Sequence, residues 1–431
     1  MPVNFEINDS FAKALKLLND TSQNIFVTGK AGTGKSTLLT YFRNSTDKKI
    51  VVLAPTGVAA VNIKGETIHS FFKFKPNISI SEAARIGRGF NKHDLYKKLD
   101  SVVIDEISMV RADLIDCVDV FLREARGNTQ PFGGVQMIFI GDLYQLPPVV
   151  QRDELSILKS IYESIYFFDS NVFKDLRGGR YSFELIELDK IYRQNDQRFI
   201  DILNCVRNKT ITLSQLDKLN ERYISNVVHN TEYIYLTARN DQSDTINSQN
   251  LDSLKTKMKC YFGQIDGDFK GKELPTDLAL DLKLGARVMF LNNDTLGRWI
   301  NGTIGNITVL GNDFVKVQID DGIEVEVEQY KWSMYSTIFN EDKKEITRKE
   351  AGSFTQLPLR LAWAITIHKS QGKTFEKVLI DLGWGAFSHG QVYVALSRCT
   401  TYEGLILKKK LRLSDILVDK TIVNFMQSFT N

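Results

Sequence analysis

Cysteine is scarce in this chain: there are four in 431 residues, and no two stand in a C-x-x-C pair. That excludes a disulfide scaffold and a zinc module and fits a reducing cytoplasm. No apolar run approaches the ~20 residues that a membrane-spanning helix requires. The opening MPVNFEINDS carries neither a basic nor an apolar stretch, so no secretory signal is read there. Internal repeats and low-complexity tracts are absent as well. Net charge is almost missing: 55 Lys and Arg stand against 52 Asp and Glu, a formal +3. The total by itself gives no reason to expect a polyanion partner. What remains, at 43% hydrophobic and 25% charged, has ordinary globular composition. The expectation is a soluble cytoplasmic protein of roughly three domains.

The small net charge hides a partition. Residues 64–98 hold eight Lys/Arg against three Asp/Glu, and residues 360–412 hold nine against three. Those segments carry +5 and +6 and leave −8 for the rest, with residues 311–330 the acidic extreme. Segregated charge can build basic grooves on a neutral molecule, and such grooves concentrate polyanions. A solvated charged face is the plainer reading until other residues support the groove.

Short apolar runs give the fold class. Asn24–Thr28, Ile50–Ala54, Val102–Asp105 and Gln136–Gly141 read as strands buried on both faces, separated by helix-length segments. Tyr233–Thr237, Lys377–Leu382 and Gly404–Leu407 repeat the texture later. Two α/β domains with parallel sheets are expected. Between the later strands, Phe314–Asp320 and Ile323–Glu328 alternate on either side of Asp321-Gly322, which predicts a β-hairpin. With Ala286–Leu291 and Asn306–Leu310 they suggest a small inserted antiparallel β-barrel module over 255–350. The first α/β domain is expected over 1–175, with a small insertion near 64–98. The second is expected over 176–254 and 351–431.

The chemistry begins at Gly29–Ser36, GKAGTGKS, a complete G-x-x-x-x-G-K-[ST] lying directly between a strand and a helix-like run. Backbone N–H groups of Gly29, Lys30, Ala31, Gly32, Thr33, Gly34 and Thr37 surround the phosphates of a nucleotide in such a loop. Lys35 reaches the β- and γ-phosphates, and the Ser36 hydroxyl ligates Mg²⁺. Asp105, ending a hydrophobic strand, is the second Mg²⁺ anchor, and Glu106 beside it is placed to polarise an attacking water. Gln145, in GDLYQLPPV after another strand, is a candidate to hold the γ-phosphate or that water. Asn91–Asp94 (NKHD) matches the guanine-reading tetrapeptide of GTPases, but it precedes the Asp105 strand and reads as coincidence.

Taken in order, GKAGTGKS, APTGVAA, GETIHSFF, VVIDEISMV, GDLYQLPPV, DKIYRQ, LAWAITIHKSQGKTF and YVALSRCT resemble the blocks of superfamily 1 helicases. The chain is most similar to the branch holding the petite-integration-frequency family, RecD and the phage Dda helicase, over about residues 24–408. The resemblance implies two RecA-like P-loop domains with ATP and Mg²⁺ between them, single-stranded DNA across their tops, and 5′→3′ translocation. It also implies forked or tailed duplex as substrate, a monomer, and association with DNA repair, recombination and telomere maintenance. On the same ground Arg193 and Arg398 are fingers onto the γ-phosphate, and Gly372 belongs to the nucleotide site. Thr56, His69, Ser70 and Phe72 of the first domain, and Asn301, Thr303, His368, Lys369 and Ser370 of the second, are expected to meet DNA.

One departure concerns the base. The segment INDSFAKAL stands where relatives carry an adenine-reading glutamine, and it contains none. Tyr192 then becomes the candidate to stack on the base. Other function classes fit the same residues less well. A P-loop kinase or GTPase leaves the second domain without a role, and a decayed scaffold is opposed by intact Lys35, Ser36, Asp105 and Glu106. A translocase that moves without unwinding stays open.

Overall fold

Strand formation follows the apolar runs closely. The structure, a computed structural model, describes residues 7–180, 183–194, 196–225, 232–267, 269, 274–319, 322–340 and 345–429. Its first sheet is wholly parallel and holds six strands: β1 (Asn24–Gly29), β2 (Ile50–Ala54), β3 (Glu66–Thr67), β4 (Ser101–Ile104), β5 (Gln136–Ile140) and β6 (Phe183–Leu188). Their order is β3-β2-β4-β5-β1-β6. Strand β5 is buried throughout and β4 likewise, as helices on both faces require.

The expected boundary at 175 falls short. Phe183–Leu188 pairs in parallel with Asn24–Gly29 over six residues, so the first sheet extends past it. Its first three residues are only half-buried, because as an edge strand it is covered on fewer sides than its neighbours.

After β7 (Ile234–Thr237) the chain leaves the second sheet for a run of antiparallel strands. These are β8 (Lys259–Phe262), β9 (Gln264–Gly267), β10 (Ala279–Leu282), β11 (Arg287–Phe290), β12 (Ile304–Leu310), β13 (Phe314–Ile319) and β14 (Glu324–Glu328). A long pair, β15 (Tyr330–Asn340) and β16 (Glu345–Gln356), and then β17 (Leu359–Leu361) complete it. The expected hairpin is present as β13–β14, although Asp320 and Asp321 of its turn lie outside the described residues.

The barrel is not. Among the described residues these strands form three separate sheets, β10-β8, β14-β13-β12-β11-β17 and β15-β16-β9, with no closure. The outermost strand of the five, EVEVE, buries Val325 and Val327 and exposes Glu324, Glu326 and Glu328. A row of acids on a terminal strand opposes further pairing, so the sheet stops there. The antiparallel part also runs beyond 350, since β16 and β17 reach Leu361.

Strands β18 (Ala364–Thr366), β19 (Val378–Asp381) and β20 (Leu405–Leu407) then complete a parallel sheet in the order β18-β7-β19-β20. The basic segment 64–98 forms short helices, Ile68–Phe72, Ile80–Gly89 and Asp94–Lys97, between β3 and β4. A capping box of Ser79 and Glu82 starts the middle one. The β15–β16 hairpin touches this segment: the Thr337 N–H donates to buried Glu66, and Lys98 Nζ lies 3.9 Å over the Phe339 ring. Among the described residues no helix is long and apolar enough to cross a membrane.

Candidate nucleotide site and nucleic-acid contacts

Strand β1 delivers the P-loop and the helix Lys35–Ser45 receives it, with Gly34 in left-handed conformation as the N-cap. Gly32 is required by a close approach. A Cβ there would stand 2.5 Å from the Cβ of Arg193, which arrives with the segment after β6. Lys35 Nζ donates to the carbonyls of Gly29 (2.7 Å) and Lys30 (3.0 Å). Burial lowers its pKa, opposed by the negative charges of Asp142 and Glu106. The Thr33 hydroxyl donates to the Lys30 carbonyl at 2.9 Å. Ala31 is buried, and its N–H is the donor to Tyr393 Oη at 2.9 Å, a bond that joins the P-loop to the second domain.

Strand β4 ends at the acidic pair. Asp105 is buried, and burial followed by the charge of Glu106 raises its pKa. Glu106 is in the left-handed region (φ 51°), which costs a non-glycine residue free energy, and its carboxylate feels the charges of Lys35, Arg398 and Arg193. Burial raises the Glu106 pKa, while Lys35, Arg398 and Arg193 hold it down. An elevated carboxylate pKa suits a group that must accept a proton near neutrality. The exposed Ser36 hydroxyl and Asp105 are hard oxygen donors. They fit Mg²⁺, which takes one or two protein oxygens and completes its shell from phosphates and water. Among the described residues no cluster of three His, Cys, Asp or Glu would hold a metal unaided.

Strand β5 brings Asp142 and Gln145. Gln145 is buried and its amide lies 3.4 Å from Asp142 Oδ2. Asp142 is the hub: it accepts from Arg207 Nη2 at 3.1 Å and lies 3.4 Å from Tyr393 Oη. Arg207 and Lys35 hold its carboxyl below the usual range despite burial. Arg207 also stacks 4.1 Å over the Tyr144 ring.

The two expected fingers differ. Arg398 is buried, and its guanidinium donates to the carbonyls of Val394 (2.9 Å), Ser370 (3.3 Å) and Lys373 (3.2 Å) and to Ser397 Oγ. Burial and the positive charge of Arg193 lower its pKa to about 9. Arg193 makes one long bond, to the Ser397 carbonyl at 3.4 Å, and abuts the P-loop at Gly32. Gln194 beside it donates to the carbonyls of Ser397 and Cys399.

Tyr192 is half-buried; its N–H donates to the Gly32 carbonyl at 2.9 Å and Lys190 Nζ lies 5.4 Å from its ring. In the segment lacking a glutamine, Asn8 and Ser10 both donate to Asp189 Oδ1 at 2.7 Å. Gly372 is exposed (φ 75°).

Of the expected DNA-contacting residues, Phe72 is corrected. It is fully buried, packed edge-on against Phe71 and Phe121 and stacked on Phe74, so its ring belongs to the core and no base can reach it. Ser370 is corrected too: its buried hydroxyl donates to the Ile367 carbonyl at 2.7 Å and is not presented to a phosphate. Thr56 is exposed, capping the helix Gly57–Asn62, while His69 and Ser70 are half-buried on the helix Ile68–Phe72. Lys369 is exposed and His368 half-buried, both following β18, and burial lowers the pKa of each. Asn301 accepts from Lys373 Nζ, and Thr303 Oγ1 accepts from the Ile300 N–H at 3.1 Å. Lys373 thereby links the Asn301 loop to the segment after β18.

Sequence reasoning missed Asp142, Arg207 and Tyr393. Asp142 and Tyr393 stand inside quoted blocks and could have been found as a second strand-end acid and as a polar ring on a buried helix. Arg207 ends an ordinary amphipathic helix, Gln197–Asn208, and carries no signal.

Comparison with known proteins gives the family. The profile of PIF1-like helicases matches residues 6–217. ATP-dependent DNA helicase Pif1 of Bdellovibrio bacteriovorus is 32% identical over 100% of this chain and 94% of its own length. Human ATP-dependent DNA helicase PIF1 is 33% identical over 89% of the chain, which spans 58% of the human protein. Bacteroides sp Pif1 in complex with ADP-AlF4 superposes with a TM-score of 0.88 at 37% identity, covering 99% of this chain and 98% of that one. Bacteroides Pif1 bound to ssDNA, at the same identity and coverage, gives 0.69. With 94% of a curated relative matched at 32% identity, this chain belongs to the PIF1-like helicase family and is a helicase enzyme.

Proposed function

We propose that the protein is an ATP-driven DNA helicase that moves 5′→3′ along single-stranded DNA and unwinds duplex ahead of it. The observation that carries this reading is the convergence on one cleft of Lys35 and Glu106 from the first sheet with Arg193, Tyr393 and Arg398 from beyond it. Support for DNA as the track comes from relatives named as DNA helicases and from Bacteroides Pif1 structures with ssDNA and with forked dsDNA.

In this reading the triphosphate takes over the interactions that Lys35 now makes with the Gly29 and Lys30 carbonyls. Mg²⁺, held by Ser36 and Asp105, would supply charge neutralisation at the β- and γ-oxygens. Glu106 accepts a proton from the attacking water, and Gln145 holds that water in line. Arg193 stabilises charge spreading over the γ-phosphate oxygens, while Arg398 holds the loops of Ser370 and Lys373 in place behind it. Hydrolysis releases the ties across the cleft, so the domains part. Thr56, His69 and Ser70 on one side, and Asn301, Thr303, His368 and Lys369 on the other, then grip phosphates alternately. Tyr192 stacks on the base. Domain units near 1–188 and 189–431 carry the two halves of the cycle. A monomer suffices for this scheme, although one Bacteroides structure is described as two coordinating Pif1 helicases at forked dsDNA.

ATP turnover measured with and without single-stranded DNA, beside strand displacement on 5′- and 3′-tailed duplexes, tests it. DNA-stimulated turnover and displacement from the 5′ tail alone are expected. Turnover indifferent to DNA defeats the proposal, and displacement from the 3′ tail alone reverses its direction. Lys35→Ala serves as the control that loses turnover but keeps DNA affinity, and that affinity falls steeply with salt.

A further inference from the structure

The second sheet carries, at its far edge, a feature that the motor does not use. The segments after β19 and β20 lie at the opposite end of the strand order from β18, which leads into His368 and Lys369. After β19 the chain reads Gly383-Trp384-Gly385, and after β20 it reads Lys408-Lys409-Lys410-Leu411-Arg412. Between them lies a groove of about 320 Å³ floored by Ile380, Leu382, Leu407 and Leu411.

Trp384 stands at its rim and is 95% exposed as a residue, whereas Trp299, Trp332 and Trp363 are all below 10%. Full exposure of the largest apolar side chain costs solvation free energy, and the residue sits in a tight glycine-flanked turn. Gly383 and Gly385 both have positive φ (60° and 129°), and a Cβ on Gly385 would meet Asp415 Oδ1 at 2.8 Å. Lys409 holds the indole from one side: its Nζ donates to the Gly383 carbonyl at 2.6 Å and lies 5.3 Å from the ring centroid. The opposite face of the ring remains open to solvent. Arg412 is paired with Asp415 at 3.0 Å and Lys408 with Asp381 at 2.8 Å, so the cations of Lys409 and Lys410 set the sign of the rim.

We infer that this groove is a second binding site for single-stranded nucleic acid, separate from the motor track, in which Trp384 stacks on a base while Lys409 and Lys410 hold the flanking phosphates. Among the described residues neither lysine has an acidic partner, although Lys410 Nζ lies 5.9 Å from the Tyr223 ring, and an exposed aromatic face beside such cations is the pairing that sequence-independent single-strand binding requires. The groove has room for one base, and its floor is already closed by aliphatic side chains, which leaves the indole face as the exposed apolar surface.

The full-length protein can be tested by the accessibility of its tryptophans to iodide, because the three buried rings contribute little to quenching. Short oligo-dT is titrated while DNA-stimulated ATP turnover is followed in the same samples. Protection of Trp384 is expected to develop after turnover has saturated, as a second equivalent binds. Trp384→Phe should remove the protected signal, and Lys409→Ala with Lys410→Ala should weaken the second equivalent about tenfold, with turnover at saturating DNA unchanged in both. Protection that saturates together with turnover would make the groove part of the motor track and overturn the inference. Protection by poly-glutamate but not by oligo-dT would assign the groove to an acidic polypeptide instead. No protection at any oligo-dT concentration would also overturn it.

Discussion

At the scale of single residues, the two arginines expected to act alike are held in different ways, and this decides what each substitution should do. Arg398 has its guanidinium committed to three carbonyls and a hydroxyl of its own domain, so its replacement disturbs the loops of Ser370 and Lys373 as well as the cleft. Arg193 has one long bond and lies against the P-loop, so its guanidinium is the freer to follow a phosphate. Arg193→Ala is therefore expected to lower kcat for ATP by about 10³-fold, the lower range for an arginine finger, with little change in thermal stability. Steady-state turnover and a melting curve on the same preparation check it; an unchanged kcat would remove Arg193 from the reaction. The P-loop and the Asp105-Glu106 pair were legible in the sequence because spacing after a strand dictates where backbone donors and side chains point, whereas Arg193 was expected only from the resemblance of its block. Phe72 and Ser370 could not be read correctly in the same way. Their blocks mark the neighbourhood of the track, but whether a ring or hydroxyl faces a groove or the core depends on partners distant in sequence, such as Phe121 for Phe72.

Elements show the same division. Strands buried on both faces were recognisable because short β-branched runs bounded by Gly, Asp or Pro suit a covered parallel sheet, whereas FELIEL, a partly buried edge strand, mixes acids into its apolar residues. Closure of the antiparallel strands was beyond reach, since closing a sheet depends on pairing between its first and last members. The helix Gln197–Asn208 has a role that its amphipathic pattern does not announce. Its Arg207 enters the first domain and pairs with Asp142 at 3.1 Å, both side chains buried. Removing one partner of such a pair strands the other charge without solvent. Arg207→Ala is expected to destabilise the protein by about 3–5 kcal/mol, read from the first transition in urea. Asp142→Asn in the same chain should recover a large part of that loss, because no uncompensated carboxylate then remains. If the double variant is as unstable as the single, the cost lies in packing over Tyr144 and not in charge.

For the whole molecule, a net charge of +3 partitions into basic segments that fold onto different surfaces. Lys369 follows β18, while Lys408 to Arg412 follow β20 at the other edge, so one basic stretch of sequence serves two faces. What joins the halves is equally hidden in the sequence. Gly390 comes so close to the Asp142 loop that a Cβ would stand 2.4 Å from the carbonyls of Tyr144 and Gln145. Beside it His389 is buried and bridges three segments: its Nδ1 accepts the Asp419 N–H at 2.9 Å, and its Nε2 lies 2.9 Å from the Leu143 carbonyl. An acceptor at Nδ1 fixes the neutral tautomer with the proton on Nε2, which donates to Leu143. Burial lowers the His389 pKa below its ordinary 6.5. As pH falls through 6.5 the unfolded chain takes up this proton first, so it binds more protons than the folded one. Stability is then fully present above pH 6.5 and is lost as pH falls below it toward the lowered folded value. Burial also lowers the pKa of His368, so the two imidazoles act in the same direction and the same window. The two histidines' share of the melting temperature is expected to be level from about pH 8 to 6.5 and to decline below that, opposed by Asp105 and Glu106, whose raised carboxyl pKa values favour the folded chain as pH falls. His389→Gln should reduce the acid slope while His368 retains its share, and replacing both should flatten it further. A slope untouched by His389→Gln would mean that the tie to Leu143 does not govern how the two domains come apart in acid.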